Sequence, residues 1–231
     1  TNGLNLGNWA PRLKAAGVTA INVSIDSLDP ARFAEVTGRD ILPKLLADLD
    51  RTLELGFERV KINAVLLKKQ FESDLEGFLE FTRRKPVSVR LIELMQSGQN
   101  VELFKTEHVT GGQVQLALLS RGWRMQPRNP GDGPAIEFAH RDHLGKIGII
   151  APYSKDFCAS CNRLRLSSRG GLRLCLYGEG DHSLRPLLQS DDQREALEQR
   201  IRILLKTEKA PAHLLADGKF GDTWNLSAIG G

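Results

Sequence analysis

All three cysteines of this 231-residue chain lie within one short stretch. Cys158 and Cys161 form a Cys-x-x-Cys loop, and Cys175 follows after an alternating Leu/Arg run and an Arg-Gly-Gly turn. This alternation is typical of a β-strand, and the glycines favour a tight reversal, so we predict a β-hairpin. A turn centred within Arg-Gly-Gly would place Cys175 opposite about Leu164. The three thiols are therefore expected to converge.

Three convergent thiols fit several kinds of site. A structural zinc site needs four ligands, and the only nearby candidate for the fourth is His182, at an unusual spacing. A thioredoxin-like redox pair would use Cys158 and Cys161 but leave Cys175 without a role. An iron-sulfur cluster held by three cysteines would leave one iron open to a substrate atom. The spacing favours a metal site over three inert cysteines, and it leaves cluster and zinc equally open.

Two arginines lie next to the cysteines. Arg163 and Arg165 alternate on one face of the predicted strand. A guanidinium pair binds phosphate through parallel, charge-assisted hydrogen bonds. The alternative is that both are solvated on an edge strand, where charges discourage aggregation. The neighbouring cysteines favour the binding role.

The composition limits the class of protein. With 41% hydrophobic and 26% charged residues, the chain can bury a substantial core in one large or two modest domains. The net charge of +4 suits a phosphorylated small molecule, whereas only 6% aromatic residues disfavour nucleic acid. We expect no membrane partner, because no signal peptide or spanning apolar run is seen. An odd number of cysteines at metal-type spacing predicts a reducing, cytoplasmic location.

The first half of the chain repeats a helical pattern followed by a β-branched run. The predicted helices cover residues 9–16, 42–55 and 75–83, and the predicted strands cover 21–25, 60–66 and 87–94. This order is typical of an α/β fold with parallel strands. Polar residues alternate along the strands and predict a wet, functional barrel interior, with a solvated edge face as the alternative. These polar residues are Asn22, Ser24, Asp26, Lys61, Asn63 and Glu93.

The pattern changes after a last helix predicted at residues 113–121. A turn-rich loop at 127–134 precedes two predicted antiparallel strands, 135–139 and 146–151, that lead into the cysteine hairpin. Helices are predicted at 184–188 and 192–205, and the leucine and isoleucine stripe of the second is interpreted as core. The tail from residue 218 is glycine-rich and ends in Gly230-Gly231.

The cysteine stretch from Lys155 to Ser168, with Leu174-Cys175-Leu176, resembles the C-terminal cluster motif of the radical-SAM GTP 3′,8-cyclase family of molybdenum-cofactor biosynthesis. The resemblance continues in order through residues 1–3, 21–29, 92–95 and the final Gly-Gly. It implies an α/β fold in which a partial (βα) radical-SAM barrel, residues 1–122, precedes an α+β domain. That domain, residues 123–231, would bind a 4Fe-4S cluster and GTP and carry the tail.

The resemblance implies a role for each matching position. Three cysteines would hold a 4Fe-4S cluster whose open iron binds GTP, and four residues would bind GTP directly. Two residues would bind S-adenosylmethionine, and the terminal glycines would reach into the active site as catalytic residues. In that order, these positions are Cys158, Cys161 and Cys175; Lys61, Arg163, Leu164 and Arg165; Ser24 and Met95; and Gly230 and Gly231.

The sequence departs from the family at one motif. The family holds a second 4Fe-4S cluster on an N-terminal Cys-x-x-x-Cys-x-x-Cys loop, which does not occur in this sequence. We therefore expect that cluster only in a part of the enzyme missing from this chain. The chain alone is expected to bind GTP without cleaving S-adenosylmethionine.

The resemblance also implies a reaction and its partners. In the family enzyme, a deoxyadenosyl radical abstracts a hydrogen from the GTP ribose, and the carbon radical closes onto guanine C8 to give 3′,8-cyclo-7,8-dihydro-GTP. GTP is the expected substrate, a homodimer is considered, and cyclic pyranopterin monophosphate synthase is the expected pathway neighbour. A zinc-stabilised nucleotide-binding module without catalysis is the alternative. A small modifier conjugated through Gly-Gly is disfavoured, because three helix-strand units come first.

Overall fold

The computed structural model describes residues 1–128, 133–154, 157, 161, 163–175 and 181–207. The chain divides into two compact units. The first consists of Thr1–Leu94 and Thr106–Ala151, and the second consists of Met95–Lys105 and the described residues from Pro152 onward. The predicted division at residue 122 falls within the first unit.

The described helices are α1 (Leu6–Ala15), α2 (Pro30–Thr37), α3 (Leu42–Glu54), α4 (Phe71–Arg84), α5 (Val101–Glu107), α6 (Gly111–Ser120) and α7 (Arg194–Thr207). The described strands are β1 (Ala20–Ser24), β2 (Arg59–Leu66), β3 (Ser88–Glu93), β4 (Arg124–Met125), β5 (Ile136–Ala139), β6 (Lys146–Ile150), β7 (Arg165–Leu166), β8 (Gly171–Arg173) and β9 (His182–Ser183). Short 3-10 turns lie at Lys68–Gln70, Arg185–Leu187 and Asp191–Gln193.

The first unit contains a six-stranded sheet in the order β1-β2-β3-β6-β5-β4. Strands β1, β2, β3 and β6 are parallel neighbours, because long crossovers that contain helices separate them. Strand β5 is antiparallel to both β4 and β6. The predicted α/β class and the predicted parallel strands are confirmed, and the arrangement is consistent with a partial (βα) barrel.

The parallel strands have one buried apolar face and one polar face. The register pairs Asn22 with Lys61 and Ser24 with Asn63, and Asn63 with Arg90 on β3. These side chains therefore share one face, because alternate residues of a strand point to the same side. The opposite face packs with helices α1, α3, α4 and α6 in the main hydrophobic core. The polar face is thus the one that the sequence predicts.

Glu93 is an exception to that prediction. The alternation from the sequence places it on the polar face, but its register partner is the buried Leu66 on the opposite face. The carboxylate is nearly inaccessible and lies 2.8 Å from Nε2 of His108. The prediction is wrong by one residue, because Arg90 is the residue of β3 that shares the face of Asn63.

A buried carboxylate joins helices α1 and α3. The Asp48 side chain of α3 is 5% exposed and lies 2.6 Å from Nζ of Lys44. The hydrogen bond from Lys44 holds the pKa of Asp48 below its usual range, and a hydrogen bond from the backbone N–H of Gly7 lowers it further. Asp48 thereby satisfies an N–H in the first turn of α1, whose N-cap residue Asn5 makes no side-chain capping bond.

The second unit contains a three-stranded antiparallel sheet in the order β7-β8-β9. Arg165 pairs with Arg173, and Leu166 pairs with Leu172, so the predicted hairpin is confirmed. Continuing this register would place Cys175 opposite Arg163, one residue from the predicted partner. The small core of this unit includes Leu204 of α7, which supports the core interpretation of the α7 stripe.

No helix in the described parts of the chain is both long and apolar enough to cross a membrane.

The close packing of α1 against α3 gives a stability prediction. A Cβ added at Gly7 would lie 2.4 Å from Oδ1 of Asp48. We expect Gly7→Ala to lower the free energy of unfolding by about 1–3 kcal/mol, because overpacking forces a buried group to shift. Gly77→Ala in α4 is the matched control, since its new Cβ would meet nothing closer than 4.0 Å. There, we expect a gain of up to about 1 kcal/mol from helix propensity. Urea unfolding measures both, and equal stability changes would contradict the packing argument.

Candidate functional site

The β7-β8 hairpin sorts its side chains onto two faces. Leu172 and Leu174 are buried in the small core of the second unit. Arg173 alternates with Leu172 in β8 and therefore points to the other side, and Cys175 follows two residues after the strand ends. Arg165 lies directly across from Arg173 and shares that side. We call the side of Arg165 and Arg173, together with the adjoining residues Arg163 and Cys175, the hairpin face.

Cys161 and Cys175 both act electrostatically on Arg165. Burial lowers the pKa of Arg165, and the positive charges of Arg163 and Arg173 lower it further. The two cysteines oppose this shift without reversing it. The structure thus brings together two predicted GTP residues and two predicted cluster ligands. Cys158, Gly230 and Gly231 lie outside the described residues.

The hairpin face has the chemistry of an anion site beside a soft metal site. Like charges directly opposite each other on antiparallel strands repel, so Arg165 and Arg173 are compatible when negative charge lies next to them. Cys161 and Cys175 are reduced thiols, and deprotonated thiols prefer zinc and iron-sulfur clusters. The described residues, which do not include Cys158, contain no group of three His, Cys, Asp or Glu that could hold a metal. The donors that are described fit a sulfur-ligated centre.

Lys61 lies in the first unit and lines a cavity of about 530 Å³. The cavity lies beside the first residues of β2, β3 and β6, on the polar side of the sheet. Five cationic side chains and two carboxylates line it, so its charge favours a polyanion such as a phosphorylated ligand. These lining residues are Arg59, Lys61, Arg90, Arg128, Lys146, Glu58 and Glu137. Arg90 is not among the predicted site residues, although its alternation with Val89 and Leu91 places it on the same face as Lys61.

Ser24 lies at the carboxyl end of β1, next to polar groups that favour a ligand. Its cross-strand neighbour is Asn63, whose Oδ1 is buried and has no hydrogen-bond partner in the described part of the chain. Two residues after Ser24, Asp26 accepts a hydrogen bond from the N–H of Val65 at 2.9 Å. Burial raises the pKa of Asp26, and the Asp74 charge adds to the shift. An unpaired amide oxygen beside a hydroxyl can recognise a polar cofactor.

Met95 lies in the second unit, where Asn100 fixes its backbone. The Asn100 side chain donates to the carbonyl of Met95 at 2.9 Å and accepts from the N–H of Ser97 at 2.7 Å. The Tyr153 hydroxyl accepts from the N–H of Gln96 at 2.8 Å. Asn100 and Tyr153 are not among the predicted site residues, since neither belongs to a recognisable motif. Together they hold the Met95 segment in one conformation.

These features define a class: α/β proteins that combine a cationic polar sheet face with a hairpin carrying thiols and arginines. A family profile described as Molybdenum Cofactor Synthesis C matches residues 87–214. The chain is 47% identical to GTP 3′,8-cyclase of Yersinia pestis over 231 residues, which is 100% of this chain and 71% of that protein. The chain belongs to the GTP 3′,8-cyclase family of molybdenum-cofactor biosynthesis.

Proposed function

We propose that this chain carries the GTP-binding part of a GTP 3′,8-cyclase, a radical-SAM lyase in the first step of molybdenum-cofactor synthesis. The observation that supports this most directly is the β7-β8 hairpin, whose strand pairing sets Arg165 opposite Arg173 just before Cys175. The family contributes the reaction, because the Yersinia pestis relative is a GTP 3′,8-cyclase. The expected product is 3′,8-cyclo-7,8-dihydro-GTP.

Cys158, Cys161 and Cys175 are proposed to hold a 4Fe-4S cluster. When bound, such a cluster supplies an iron without a protein ligand, which can hold a substrate atom. The hairpin contributes rigidity, since its backbone pairing fixes the strand that leads to Cys175. The buried leucines beneath this strand exclude water from its other side.

Arg163 and Arg165 of the hairpin face are proposed to bind GTP. Arg163 is exposed and Arg165 is half-buried, so both guanidiniums are accessible to a ligand. Leu164 lies between them and would contribute through its backbone. In the first unit, Lys61 is the proposed GTP residue, and the excess of cations around its cavity supports an anionic ligand.

Ser24 and Met95 are proposed to bind S-adenosylmethionine. The buried, unpaired Oδ1 of Asn63 supports the Ser24 position, because it offers an acceptor to a cofactor amine. The conformation that Asn100 imposes supports a backbone contact at Met95. The family chemistry begins with a deoxyadenosyl radical from this cofactor. The cytoplasmic location, the homodimer and cyclic pyranopterin monophosphate synthase as pathway neighbour stay predictions.

Metal content separates the cluster from the zinc alternative. Anaerobic reconstitution of the 231-residue chain with iron and sulfide should give a brown protein with about four irons per chain. His182→Ala is the discriminating variant, because His182 is the candidate fourth zinc ligand. We expect it to retain iron, while Cys175→Ser loses it. One zinc without iron in the parent chain, lost in His182→Ala, would replace the cyclase proposal with the zinc-stabilised module.

The two arginines should differ in their effect on GTP binding. We expect Arg165→Ala to weaken GTP affinity by about 1.5–3 kcal/mol, or roughly 10- to 150-fold, because a charge-assisted bond in a half-buried site is lost. Arg163→Ala should cost less, since Arg163 is exposed and its charge is better screened. Lys at position 165 should restore affinity only in part. Isothermal titration measures these affinities in iron-loaded protein.

Arg169→Ala provides the matched control for those variants. Arg169 is exposed in the turn of the same hairpin, so its loss removes an equal charge away from the hairpin face. Its affinity should equal that of the parent chain. Equal losses in all three alanine variants would show a general charge effect and remove the assignment of Arg163 and Arg165.

Gly230 and Gly231 are proposed catalytic residues that lie outside the described part of the chain. Residues without Cβ can enter a narrow channel and offer backbone N–H groups to a substrate. In a family enzyme that carries both clusters and ends in this sequence, Gly230→Ala with Gly231→Ala should preserve deoxyadenosine formation but abolish cyclisation. The measured quantity is cyclised product per deoxyadenosine. A ratio equal to that of the parent enzyme would assign no catalytic role to the tail.

A further inference from the structure

Arg173 carries a buried hydrogen-bond donor that the proposed function does not yet use. The residue is 8% exposed. Its Nε donates to Oδ1 of Asp181 at 2.7 Å, whereas its Nη1 is buried and has no hydrogen-bond partner among the residues that the structure describes. A guanidinium cannot be deprotonated in a protein, so a charged donor is shut off from water. Leaving such a donor unsatisfied is costly.

Asp181 contacts Arg173 from a position that is open only because residue 171 is a glycine. A Cβ at Gly171 would lie 2.7 Å from Cβ of Asp181 and 2.8 Å from its Oδ2. Any other residue at position 171 would therefore push Asp181 away. The Asp181 side chain is 32% exposed, while the Arg173 side chain is 9% exposed. The carboxylate thus holds one edge of the guanidinium and leaves the other edge on the buried side.

The position of Arg173 indicates which group could satisfy Nη1. Arg173 is the last residue of β8, and Cys175 follows two residues later, so their Cα atoms can be no more than about 7 Å apart. Leu172 and Leu174 fill the opposite face and offer no acceptor. A buried anionic or sulfur-rich group would suit this charged donor. Arg163 and Arg165 differ from Arg173 in their exposure, because both remain accessible to a nucleotide from solvent.

We propose that Arg173, held by Asp181, donates a hydrogen bond to the sulfur atoms of the centre that the three cysteines bind, and so raises its reduction potential. This inference rests on the proposed function, because it requires an iron-sulfur cluster at the cysteines. Hydrogen bonds to cluster sulfurs and the nearby net charge are both known to set such potentials. Arg173 would contact the cluster, and Asp181 would be a positioning residue.

The test is a redox titration of the reconstituted 231-residue chain, followed by electron paramagnetic resonance. The chain has only three cysteines, so one cluster at most gives the signal. We expect Arg173→Met to bind the same amount of iron and to shift the potential to a more negative value. Arg173→Lys keeps the charge without the planar fork and should lie between the parent chain and Arg173→Met. Arg169→Met, which removes the same charge from the exposed turn, should leave the potential unchanged.

A double-mutant cycle tests the role of Asp181. If Asp181 positions the guanidinium, the shift caused by Arg173→Met should be smaller in an Asp181→Asn background than in the parent chain. An equal shift in both backgrounds would overturn the positioning role. Asp181→Asn alone would not be conclusive, because it removes a negative charge and the contact to Arg173 at the same time. The cycle separates these two effects on the potential.

The outcomes separate this inference from the proposed function. An unchanged potential in Arg173→Met, with iron content and GTP affinity retained, would overturn the inference and leave the GTP-binding cluster in place. If Arg173→Lys has the same potential as the parent chain, the positive charge alone accounts for the effect. That result would overturn the proposed hydrogen bond from the guanidinium. A parent chain that takes up no iron would overturn the proposed function, and this inference with it.

Discussion

The pairing of β7 with β8 is the constraint on which the second unit depends. It fixes which side chains face each other, and it places two guanidiniums, Arg165 and Arg173, directly opposite. Such a pair is unfavourable in isolation, because like charges across a strand pair repel. Two features oppose this repulsion: the Asp181 carboxylate lies 2.7 Å from Nε of Arg173, and Cys161 and Cys175 act against the lowering of the Arg165 pKa without reversing it. The hairpin is therefore consistent with a site whose negative charge comes from sulfur and from a bound anion.

The parallel strands of the first unit also alternate between two kinds of side chain. Its parallel strands bury one face against helices and leave a polar face that carries Lys61, Asn63 and Arg90. Most buried parallel strands are apolar on both faces, so this polar face requires an occupant rich in polar groups. The buried, unpaired Oδ1 of Asn63 leads to the same requirement. The ligands proposed for this chain, GTP and S-adenosylmethionine, are rich in polar groups.

The pattern of polar and apolar residues predicts most of the helices and strands of this fold. It is less reliable for the face of the sheet to which a given side chain points. The alternation of polar and apolar residues predicts β1, β2 and β3 correctly, but it places Glu93 on the wrong face. A shift of one residue along a strand moves a side chain to the opposite face of the sheet. The helix α2 was missed, although Asp29 caps it, Pro30 starts it and Gly38 ends it with φ of 68°. Asn100 could not have been found, because its role depends on a turn that only the folded chain forms.

Arg173 illustrates why a motif alone does not define a site. In the sequence, it is one more arginine in an alternating run and differs little from Arg163 or Arg165. The fold distinguishes it, because burial removes water from Nη1 and the gap at Gly171 admits Asp181 to the other edge. A charge fixed in this way keeps its strength, since the interior screens it less than solvent does. Exposed arginines are suited to capture a mobile nucleotide, whereas a buried, oriented one is suited to tune a centre that stays in place.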